Sequence, residues 1–554
     1  MNKFITWIKK PSSDRVLLVI LLILLNIVSS TLFLRIDLTS QKAFSISKAS
    51  KDVVKYIDSP LSIKVFFSKN LPSPYNNVQQ YILDLLSEYK SSSSKNFSYQ
   101  VFDMDKEENQ IIAQEFGLGP VQIDNIGTSE ISTKIAWMGI IITYGDYIAK
   151  IDSLKSTHDI EYKITTTISK IISAQNNNKE TLFDIGYITG HNENTLYTNH
   201  YAQSYSEVGC QNFANLLSDI YNIKEINLSK EEIPSTLKTI IINNPKANFS
   251  KDELVKIDQF IMNGGNAIFF VEPLTEKITD LNSYPEYIVP QTNISTLINS
   301  YGIKLENSYI MDNHCLTQHQ NEFGKQILNW VPIVSKENVA EKNPITQNLG
   351  GILFFLNGPI DVTKATENKN LKTTILAKSS KESWTVNKDF ILYPGYNVPP
   401  KDQSTMDSKN MAVLLEGSFT SAFANEQNII TNFKSKSPNT SRIIVISSGT
   451  ITTDTLITKD GNDTTSLFIR NTIDYVNNND DFCAMRTKGT RLDFISIKSE
   501  KFATIVKLLN EFGLALVVLL IGFLVWRMRL AKRYLIHQKY NPNDLRIIKN
   551  KKEK

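Results

Sequence analysis

The sequence predicts an α/β protein that is membrane-anchored at both ends and carries two exported α/β domains between the anchors. An uncharged apolar run lies near each terminus, which predicts the anchors. Between the runs, segments with strand and helix periodicity alternate, which predicts the α/β class. Hydrophobic residues make up 41% of the chain and charged residues 21%, as in globular rather than disordered proteins. The exported part is too long for one hydrophobic core, so we expect more than one domain.

The first apolar run is Val16–Leu34, interrupted only by Asn26 and by the polar cluster at residues 29–31. As a helix it would span roughly 30 Å, the thickness of the hydrocarbon core. The alternative is a cleaved signal peptide, because residues 1–15 are basic. The apolar core is longer than that of a signal peptide and no A-x-A pattern follows it, which favours an uncleaved transmembrane helix at 16–34.

The second apolar run is Phe512–Trp526, and it predicts a transmembrane helix at 508–526 when Leu508 and the intervening residues are included. The alternative is a buried core helix of a soluble domain. Four basic residues follow Trp526 within seven positions, and such a cluster is typical of the end of a membrane span: Arg527, Arg529, Lys532 and Arg533.

Charge predicts the orientation. Residues 1–15 carry four Lys or Arg and one acid, and residues 527–554 carry ten Lys or Arg and two acids. Because basic flanks stay in the cytoplasm, we expect both tails inside a bacterial plasma membrane and residues 35–507 outside it. The tails sum to +3 + 8 = +11 and the whole chain is +4, so the remainder is 4 − 11 = −7. An acidic exported part argues against nucleic-acid binding.

Residues 35–175 predict a first exported domain. Alternation predicts a strand at Leu61–Phe67, and apolar residues three and four apart predict helices around 78–89 and 160–171. The other predicted elements are a helix at Lys48–Ile57, a strand at Phe97–Phe102, a helix at Glu107–Phe116 and a hairpin of Trp137–Tyr144 with Tyr147–Ile151. This order resembles a thioredoxin-like layout. The loop 68–74 after the first strand has no cysteine, so the sequence excludes C-x-x-C redox chemistry.

The cysteines give no metal or disulfide motif. Cys210, Cys315 and Cys483 are far apart in sequence and have no C-x-x-C spacing. This excludes a zinc site and a disulfide framework. One disulfide remains possible, but three packed thiols are favoured. We therefore expect no cofactor and no bound metal.

Residues 181–490 predict a second exported domain built on a parallel sheet with helices on both faces. Ser250 and Glu253 have the spacing of a capping box, which predicts a helix that ends at Asn263-Gly264-Gly265. The predicted strands are Leu182–Thr189, Thr239–Ile242, Ala267–Val271, Ile352–Leu356, Met411–Leu415 and Ile443–Ile446, and the last helix is Leu467–Val476. Residues 274–410 are interpreted as insertions, and residues 175–180 as a linker between the domains.

The candidate site is the segment Gly190-His191-Asn192-Glu193. It follows a buried strand, and ligands bind at the carboxyl ends of strands in open α/β sheets. His191 and Glu193, with His200 nearby, have the chemistry of a metal site or of an acid and base. The alternative, which the pattern favours, is that Gly190 makes the turn while His191 and Glu193 cap the next helix or hydrogen-bond locally. Gly190, His191 and Glu193 are the predicted ligand-binding residues; no catalytic residue is predicted.

The other motifs searched for in the sequence predict no further site. His314 and His319 are five residues apart, which does not place them on one helical face, so packing or surface roles are favoured. The sequence has neither a nucleophile elbow of the G-x-S-x-G type nor a G-x-x-x-x-G-K-[ST] loop. The chain is therefore not expected to bind ATP through a P-loop.

The ordered set of segments resembles the GldG family, the auxiliary subunit of an ABC transport system associated with bacterial gliding. The resemblance covers nearly the whole chain and is carried by the order of the segments. The segments that carry it are Arg35–Thr39 with Phe44–Ser47, Ile188–Glu193, Ser250–Pro273, Asn343–Thr346, Ala412–Gly417 and Arg442–Gly449. The family usually has glycine where this chain has Asn192.

The resemblance implies a second exported domain similar to class I glutamine amidotransferases (flavodoxin-like) that lacks their catalytic machinery. It also implies two partners: a multi-spanning ABC permease and a cytoplasmic P-loop ATPase. On this basis we expect a non-enzymatic auxiliary subunit that binds a substrate or an envelope partner. The alternatives are an envelope hydrolase or metal-dependent enzyme that uses His191 and Glu193, and a purely structural envelope protein.

Overall fold

The computed structural model describes Leu24 and most of residues 45–540. The described ranges are 45–55, 57–72, 75–93, 96–126, 131–157, 159–175, 183–202, 207–277, 285–320, 324–388, 390–426, 432–487 and 500–540. The predicted helix at 16–34, apart from Leu24, and the predicted linker beyond Gln175 lie outside these residues. The chain divides into two units, Met1–Arg491 and Leu492–Lys554.

A four-stranded sheet with the order β2-β1-β5-β6 forms the first part of the larger unit. β1 pairs parallel with β2 and antiparallel with β5. The elements in chain order are α1 (Lys48–Lys55), β1 (Leu61–Phe67), α2 (Val78–Ser92), β2 (Phe97–Asp103), α3 (Glu107–Glu115), β3 (Val121–Ile126), β4 (Ile131–Ala136), β5 (Met138–Tyr144), β6 (Tyr147–Ile151) and α4 (Ile160–Gln175). The predicted strands and helices of this part agree with these bounds to within a few residues.

The two long helices of this part, α2 and α4, bury the apolar stripes that the sequence predicted. Ile82 and Leu86 of α2 and Ile164 and Ile168 of α4 are fully buried, and all four belong to one core with β1 and β5. The antiparallel pair β3–β4 was not predicted. β3 has the sequence VQIDNI, in which apolar residues are isolated between polar ones, so it carries no apolar run that would distinguish it from a loop.

A seven-stranded sheet with the order β19-β21-β22-β10-β9-β7-β8 forms the second part of this unit. Its elements begin with β7 (Phe183–Thr189), α5 (Gln211–Leu217), β8 (Tyr221–Asn227), β9 (Thr239–Asn243), α6 (Lys251–Met262) and β10 (Asn266–Phe270). Between residues 275 and 386 follow β11 (Thr275–Lys277), β12 (Glu286–Ile288), α7 (Ile294–Ser300), β13 (Lys304–Leu305), β14 (Tyr309–Asp312), β15 (Cys315–Gln320), β16 (Gly324–Val334), β17 (Ile352–Leu353), β18 (Ile360–Asp361), α8 (Thr363–Glu367), β19 (Leu371–Lys378) and β20 (Ser383–Val386). The unit ends with β21 (Asn410–Gly417), β22 (Ser441–Ile446), α9 (Thr464–Val476) and α10 (Asp480–Thr487).

The prediction of a parallel sheet is correct for five neighbouring strands and wrong at β21. β8, β7, β9, β10 and β22 run parallel, whereas β21 is antiparallel to β22. In the described residues between β21 and its neighbour β22, 418–426 and 432–440, there is no crossover helix, and an antiparallel pair does not require one. Within residues 274–410, which are interpreted as holding insertions, β19 forms an edge of this sheet.

Helices cover both faces of the seven-stranded sheet, as predicted. Ile268 and Phe270 of β10 pack in the same core as Phe468 of α9, whereas the alternate residue Phe269 packs in the core that includes Ile257 of α6. Strand alternation sends successive side chains to opposite faces. The uninterrupted apolar sequence of β10 therefore reflects burial on both sides.

The smaller unit contains α11 (Glu500–Tyr540). Within the described residues, its segment Asn510–His537 is the one helix long and apolar enough to cross a membrane. This agrees with the apolar run predicted at 508–526.

Candidate functional site

The seven-stranded sheet reverses its winding between β7 and β9. From β7 the chain reaches β8 through α5, which packs on one face of the sheet, and from β9 it reaches β10 through α6, which packs on the other. Ligands bind in open α/β sheets at the carboxyl ends of the strands that flank such a reversal. Here those ends are Thr189 and Asn243.

The loop after β7 turns on two residues with positive φ. Gly190 has φ 112° and Asn192 has φ 57°, and asparagine is one of the few residues besides glycine that adopts this left-handed conformation. Asn192 therefore provides the backbone conformation that a glycine would adopt freely at this position. The turn directs His191 inward, where it is buried.

Both ring nitrogens of His191 face carboxylates of the same chain. Nδ1 lies 3.1 Å from Oε1 of Glu193, and Nε2 lies 3.3 Å from Oε2 of Glu253. The backbone N–H of His191 donates to Oε2 of Glu193 at 2.7 Å. The imidazole stacks on the ring of Phe249, with 3.6 Å between centroids. The ring is thus enclosed by two carboxylates and one aromatic face.

Glu253 is held by the helix end that the sequence predicted. Ser250 caps α6 by accepting a hydrogen bond from the backbone N–H of Glu253, and the Glu253 carboxylate accepts from the backbone N–H of Ser250. This capping box fixes the first turn of the helix. It also orients the same carboxylate towards His191, so the cap and the β7 loop form one connected structure.

The electrostatics of this cluster follow from that geometry. Burial alone would lower the pKa of His191, but the hydrogen bonds and charges of Glu193 and Glu253 outweigh burial and raise it. Burial likewise opposes ionisation of Glu253, but its hydrogen bonds to Ser250 and its contact with His191 lower its pKa. The protonated form of the ring and the carboxylates around it therefore stabilise each other.

Asparagine side chains fill the space between the strand ends. The Asn194 amide donates to the carbonyl of Gly449 at 2.8 Å, and its side-chain oxygen accepts from Asn244 at 3.2 Å. Asn243 accepts from the hydroxyl of Thr452 at 3.0 Å. The crevice that the topology creates is therefore occupied by amides of the chain itself.

Asn244 occupies the strained position after β9. Its φ is 54° and its side chain is buried; in α/β hydrolases a nucleophile occupies a strained turn of this kind after a strand. A side-chain amide is not a nucleophile. Gly449 lies against it so closely that a Cβ at that glycine would be 2.2 Å from Cγ of Asn244.

Two buried polar side chains at the neighbouring strand ends were not predicted from the sequence. Glu272 follows β10, and Asn357 precedes a glycine whose added Cβ would lie 2.7 Å from Cβ of Pro273. Among the described residues, neither Oε1 of Glu272 nor the amide of Asn357 has a hydrogen-bond partner. Burial raises the pKa of Glu272 to about 7. The pair E-P and the pair N-G were the available signals, but both are common in turns.

The other predicted candidates lie apart from this cluster or are inert. His200 is exposed, as is His319 on β15, and His314 bonds through Nδ1 to the carbonyl of Ile333 at 2.6 Å. All three cysteines are buried free thiols. Within the described ranges, no group of three or more His, Cys, Asp or Glu side chains is arranged to hold a metal ion.

Comparison with known proteins finds a relative that this chain matches over nearly its whole length. An uncharacterized protein of Borreliella burgdorferi is 26% identical over 522 residues, which cover 91% of this chain and 95% of that protein. Residues 40–143 match a domain of unknown function (DUF7088).

Similarity to solved structures is weak. The mmIFT52 N-terminal domain aligns with a TM-score of 0.32 at 14% identity, covering 53% of this chain and 97% of that one. An exo-β-1,4-mannosidase from Opitutaceae bacterium strain TAV5 aligns with a TM-score of 0.21 at 9% identity, covering 76% and 51% respectively. Neither score supports an argument about fold or function.

The family match covers the part of the chain that contains the seven-stranded sheet. Residues 184–484, more than half of the chain, match the family described as ABC-type uncharacterized transport system, whose members are auxiliary components. The matched range includes His191, Glu193, Glu253 and the asparagines at the strand ends. The chain belongs to this family of ABC transport auxiliary components.

Proposed function

We propose that the chain is a non-enzymatic auxiliary subunit of an ABC transport complex, with partners in a multi-spanning permease and a separate P-loop ATPase. The family match over residues 184–484 carries this proposal. The sequence agrees with such a division of labour, because it contains no G-x-x-x-x-G-K-[ST] loop of its own. The resemblance to GldG supports the same assignment.

The strand-end geometry favours a non-enzymatic role over the hydrolase alternative. A general base must reach its substrate, but both nitrogens of His191 face Glu193 and Glu253, and its ring is stacked on Phe249. Asn244 provides an amide where an enzyme of this architecture would have a nucleophile. We propose that Gly190, His191 and Glu193 shape the loop that closes the crevice, and that a substrate or envelope partner binds to the exported surface around it.

The proposed topology has both tails in the cytoplasm and residues 35–507 outside the plasma membrane. The positive charge of residues 1–15 and 527–554 supports this orientation. The apolar segment Asn510–His537 of α11 supports the second anchor, and the two helices would dock on the permease.

We further propose two exported domains, residues 35–175 and residues 181–490. The first is thioredoxin-like, a proposal supported by the order β2-β1-β5-β6 with β5 antiparallel to β1. The second is similar to the glutamine amidotransferase fold, supported by the winding reversal beside β7. The antiparallel β21 is a departure that this proposal must accommodate.

Fractionation of native membranes tests the function. The tagged full-length chain, solubilised in mild detergent, is expected to elute in a complex much larger than its own 62.8 kDa and to carry ATP hydrolysis activity. Elution as an isolated chain without ATP hydrolysis would overturn the proposal.

A complementation experiment distinguishes the non-enzymatic subunit from the hydrolase alternative. His191→Gln and Glu193→Gln keep the size of each side chain but remove its acid–base chemistry. If the chain is not an enzyme, both variants should complement a deletion strain whenever they accumulate to the unmodified level. Loss of function at full protein level would favour the hydrolase.

A further inference from the structure

A cavity of about 420 Å³ lies on one face of the hairpin formed by β15 and β16, apart from the cluster around His191. Two of its walls are attached to the segment that follows β22. The carbonyl of Phe355, which lines the cavity, accepts hydrogen bonds from the hydroxyls of Ser448 and Thr450 at 2.5 and 2.8 Å, and Thr455 lines it as well. The cavity therefore lies beside the carboxyl end of β22, and its volume is in the range of small-ligand sites.

Two cross-strand pairs of the hairpin give the cavity its polarity. Gln318 pairs with Gln326, and Leu316 pairs with Leu328. Side chains that lie directly opposite each other, or two positions apart along a strand, share one face of a sheet. These four residues and Trp330 all line the cavity. Among the described residues, neither glutamine amide has a hydrogen-bond partner, so both are available to a ligand.

An exposed tyrosine forms another wall. Tyr393 lines the cavity and 52% of it is exposed. Its loop is fixed by the backbone N–H of Tyr396, which donates to the Tyr393 carbonyl at 3.2 Å, and by the amide of Asn397, which donates to the carbonyl of Ile391 at 2.8 Å. The ring of Tyr396 packs edge-on against that of Tyr393, with 5.6 Å between centroids. The aromatic face is thus held in place before any ligand arrives, which lowers the entropy lost on binding.

The side chains in these walls select a class of ligand. None of the described residues that line the cavity is charged, so an anionic or cationic ligand would lose hydration without gaining an ion pair. A purely apolar ligand would cover the two glutamine amides without bonding to them. A neutral saccharide satisfies both conditions. The C–H faces of its rings pack on aromatic side chains, and its hydroxyls both donate and accept, as side-chain amides do.

We infer that this cavity binds a neutral saccharide, with a sugar ring against Tyr393 and its hydroxyls bonded to Gln318 and Gln326. This inference rests on the function proposed above, in which a substrate or an envelope partner binds to the exported surface, and it gives that ligand a chemical class. The strand ends around His191 are filled by the chain's own side chains, whereas the hairpin adds an open cavity beside them.

Titration of the purified full-length chain with chitotetraose, cellotetraose and maltotetraose tests the inference. Trp330 lines the cavity, so its fluorescence should change as a saccharide binds. At least one of the three should give a saturable change, and calorimetry should give the same Kd. Trp330→Phe should remove most of the fluorescence change. Absence of saturable binding of every saccharide at a Kd of about 1 mM or tighter would overturn the inference, and so would equal affinity for tetraglycine, a neutral peptide.

Matched variants locate the binding. Tyr393→Ala, and Gln318→Ala combined with Gln326→Ala, should each weaken saccharide binding at least about tenfold. Thr317→Ala, on the opposite face of β15, and Tyr147→Ala, an exposed tyrosine of β6, should leave it unchanged. The unfolding midpoint of each variant shows whether it is folded. Equal affinities of Tyr393→Ala and Tyr147→Ala would contradict the assigned cavity.

The same preparation separates this inference from the proposed function. A chain that binds a saccharide through Tyr393 but copurifies with neither permease nor ATPase would contradict the proposed function and support the cavity. A chain that copurifies with both subunits but binds none of the three saccharides would contradict only the inference about the cavity.

Discussion

Nε2 of His191 lies 3.3 Å from Oε2 of Glu253, the third residue of α6. This contact connects the loop after β7 to the capped end of the helix that precedes β10. The same imidazole faces Glu193 through its other nitrogen. His191, a residue type that often serves as an acid, a base or a metal ligand, thus forms part of the structure that closes the crevice at the strand ends.

His191→Ala is expected to destabilise the protein by about 2 kcal/mol, because it removes the imidazole from between two buried carboxylates, which keep only their hydrogen bonds to the backbone and to Ser250. The expected observation is a lower midpoint of thermal unfolding for the purified full-length chain. His200→Ala is the control, since that side chain is exposed and surface substitutions usually change stability by less than about 0.5 kcal/mol. Equal midpoints for the two variants would contradict the role assigned to His191.

The His191 contribution should depend on pH in a defined direction. Its pKa is raised in the folded protein above the usual 6.5, so the stabilisation is fully present below 6.5 and is lost as pH rises through the raised value. Glu253 has a lowered pKa, so its contribution is present above 4.5 and is lost as pH falls through the lowered value. The measurement is the difference in unfolding midpoint between the unmodified chain and His191→Gln, followed from pH 5 to pH 9. A difference that grows with rising pH would be inconsistent with this account.

Glu272 should make the free energy of unfolding fall as pH rises, whereas an ion-paired acid makes it rise. Its pKa is raised from 4.5 to about 7 by burial, so the unfolded chain loses its proton first as pH rises. The folded state is therefore weakened by about 3 kcal/mol between pH 4.5 and 7, with no further change above 7. Glu272→Gln should remove this dependence and raise the unfolding midpoint at pH 8, whereas the exposed Glu225→Gln should do neither. A lower midpoint for Glu272→Gln at pH 8 would indicate that the buried carboxylate has a partner.

Gly449→Ala should destabilise the protein by about 2 kcal/mol through overpacking against Asn244. The φ of Gly449 is not in the left-handed region, so space rather than backbone strain is the cause. Asn244→Gly removes the clashing side chain and tolerates the positive φ at that position. The double variant should therefore be more stable than Gly449→Ala alone, in a double-mutant cycle of unfolding midpoints. Simple addition of the two single effects would rule out the contact as the cause.

Much of the fold follows from local sequence patterns. The stripe of Ile82 and Leu86, the apolar strand β10 and the Ser250–Glu253 capping box each report local periodicity or a local hydrogen bond, and each is present in the structure. β8 was not predicted. It is an edge strand, and its sequence YNIKEIN has polar residues at the exposed positions, so it lacks an apolar run. The antiparallel direction of β21 could not be predicted either, because the direction of a strand depends on the segment that connects it to its neighbour and not on its own sequence.

The sequence indicated the segment that lies at the end of β7, but not the side chains that surround it. Strand ends and a following glycine indicated the segment at Gly190, but nothing local indicated that Glu253, some 60 residues later in the chain, supplies the second partner of His191. Glu272 and Asn357 were missed for a related reason. Their burial arises from packing between separate segments, and a polar residue in a turn looks the same whether it is exposed or enclosed.

The central claim, membership of a working ABC transport complex, is tested most directly by identifying what copurifies with the full-length chain from its native membranes. The measurement is quantitative mass spectrometry after mild solubilisation through a tag at the C-terminus. We expect a multi-spanning permease and a P-loop ATPase in fixed ratio to the chain, with both lost when the membranes are taken from cells that lack the permease gene. Recovery of the chain without either subunit, under conditions in which it remains folded, would contradict the account.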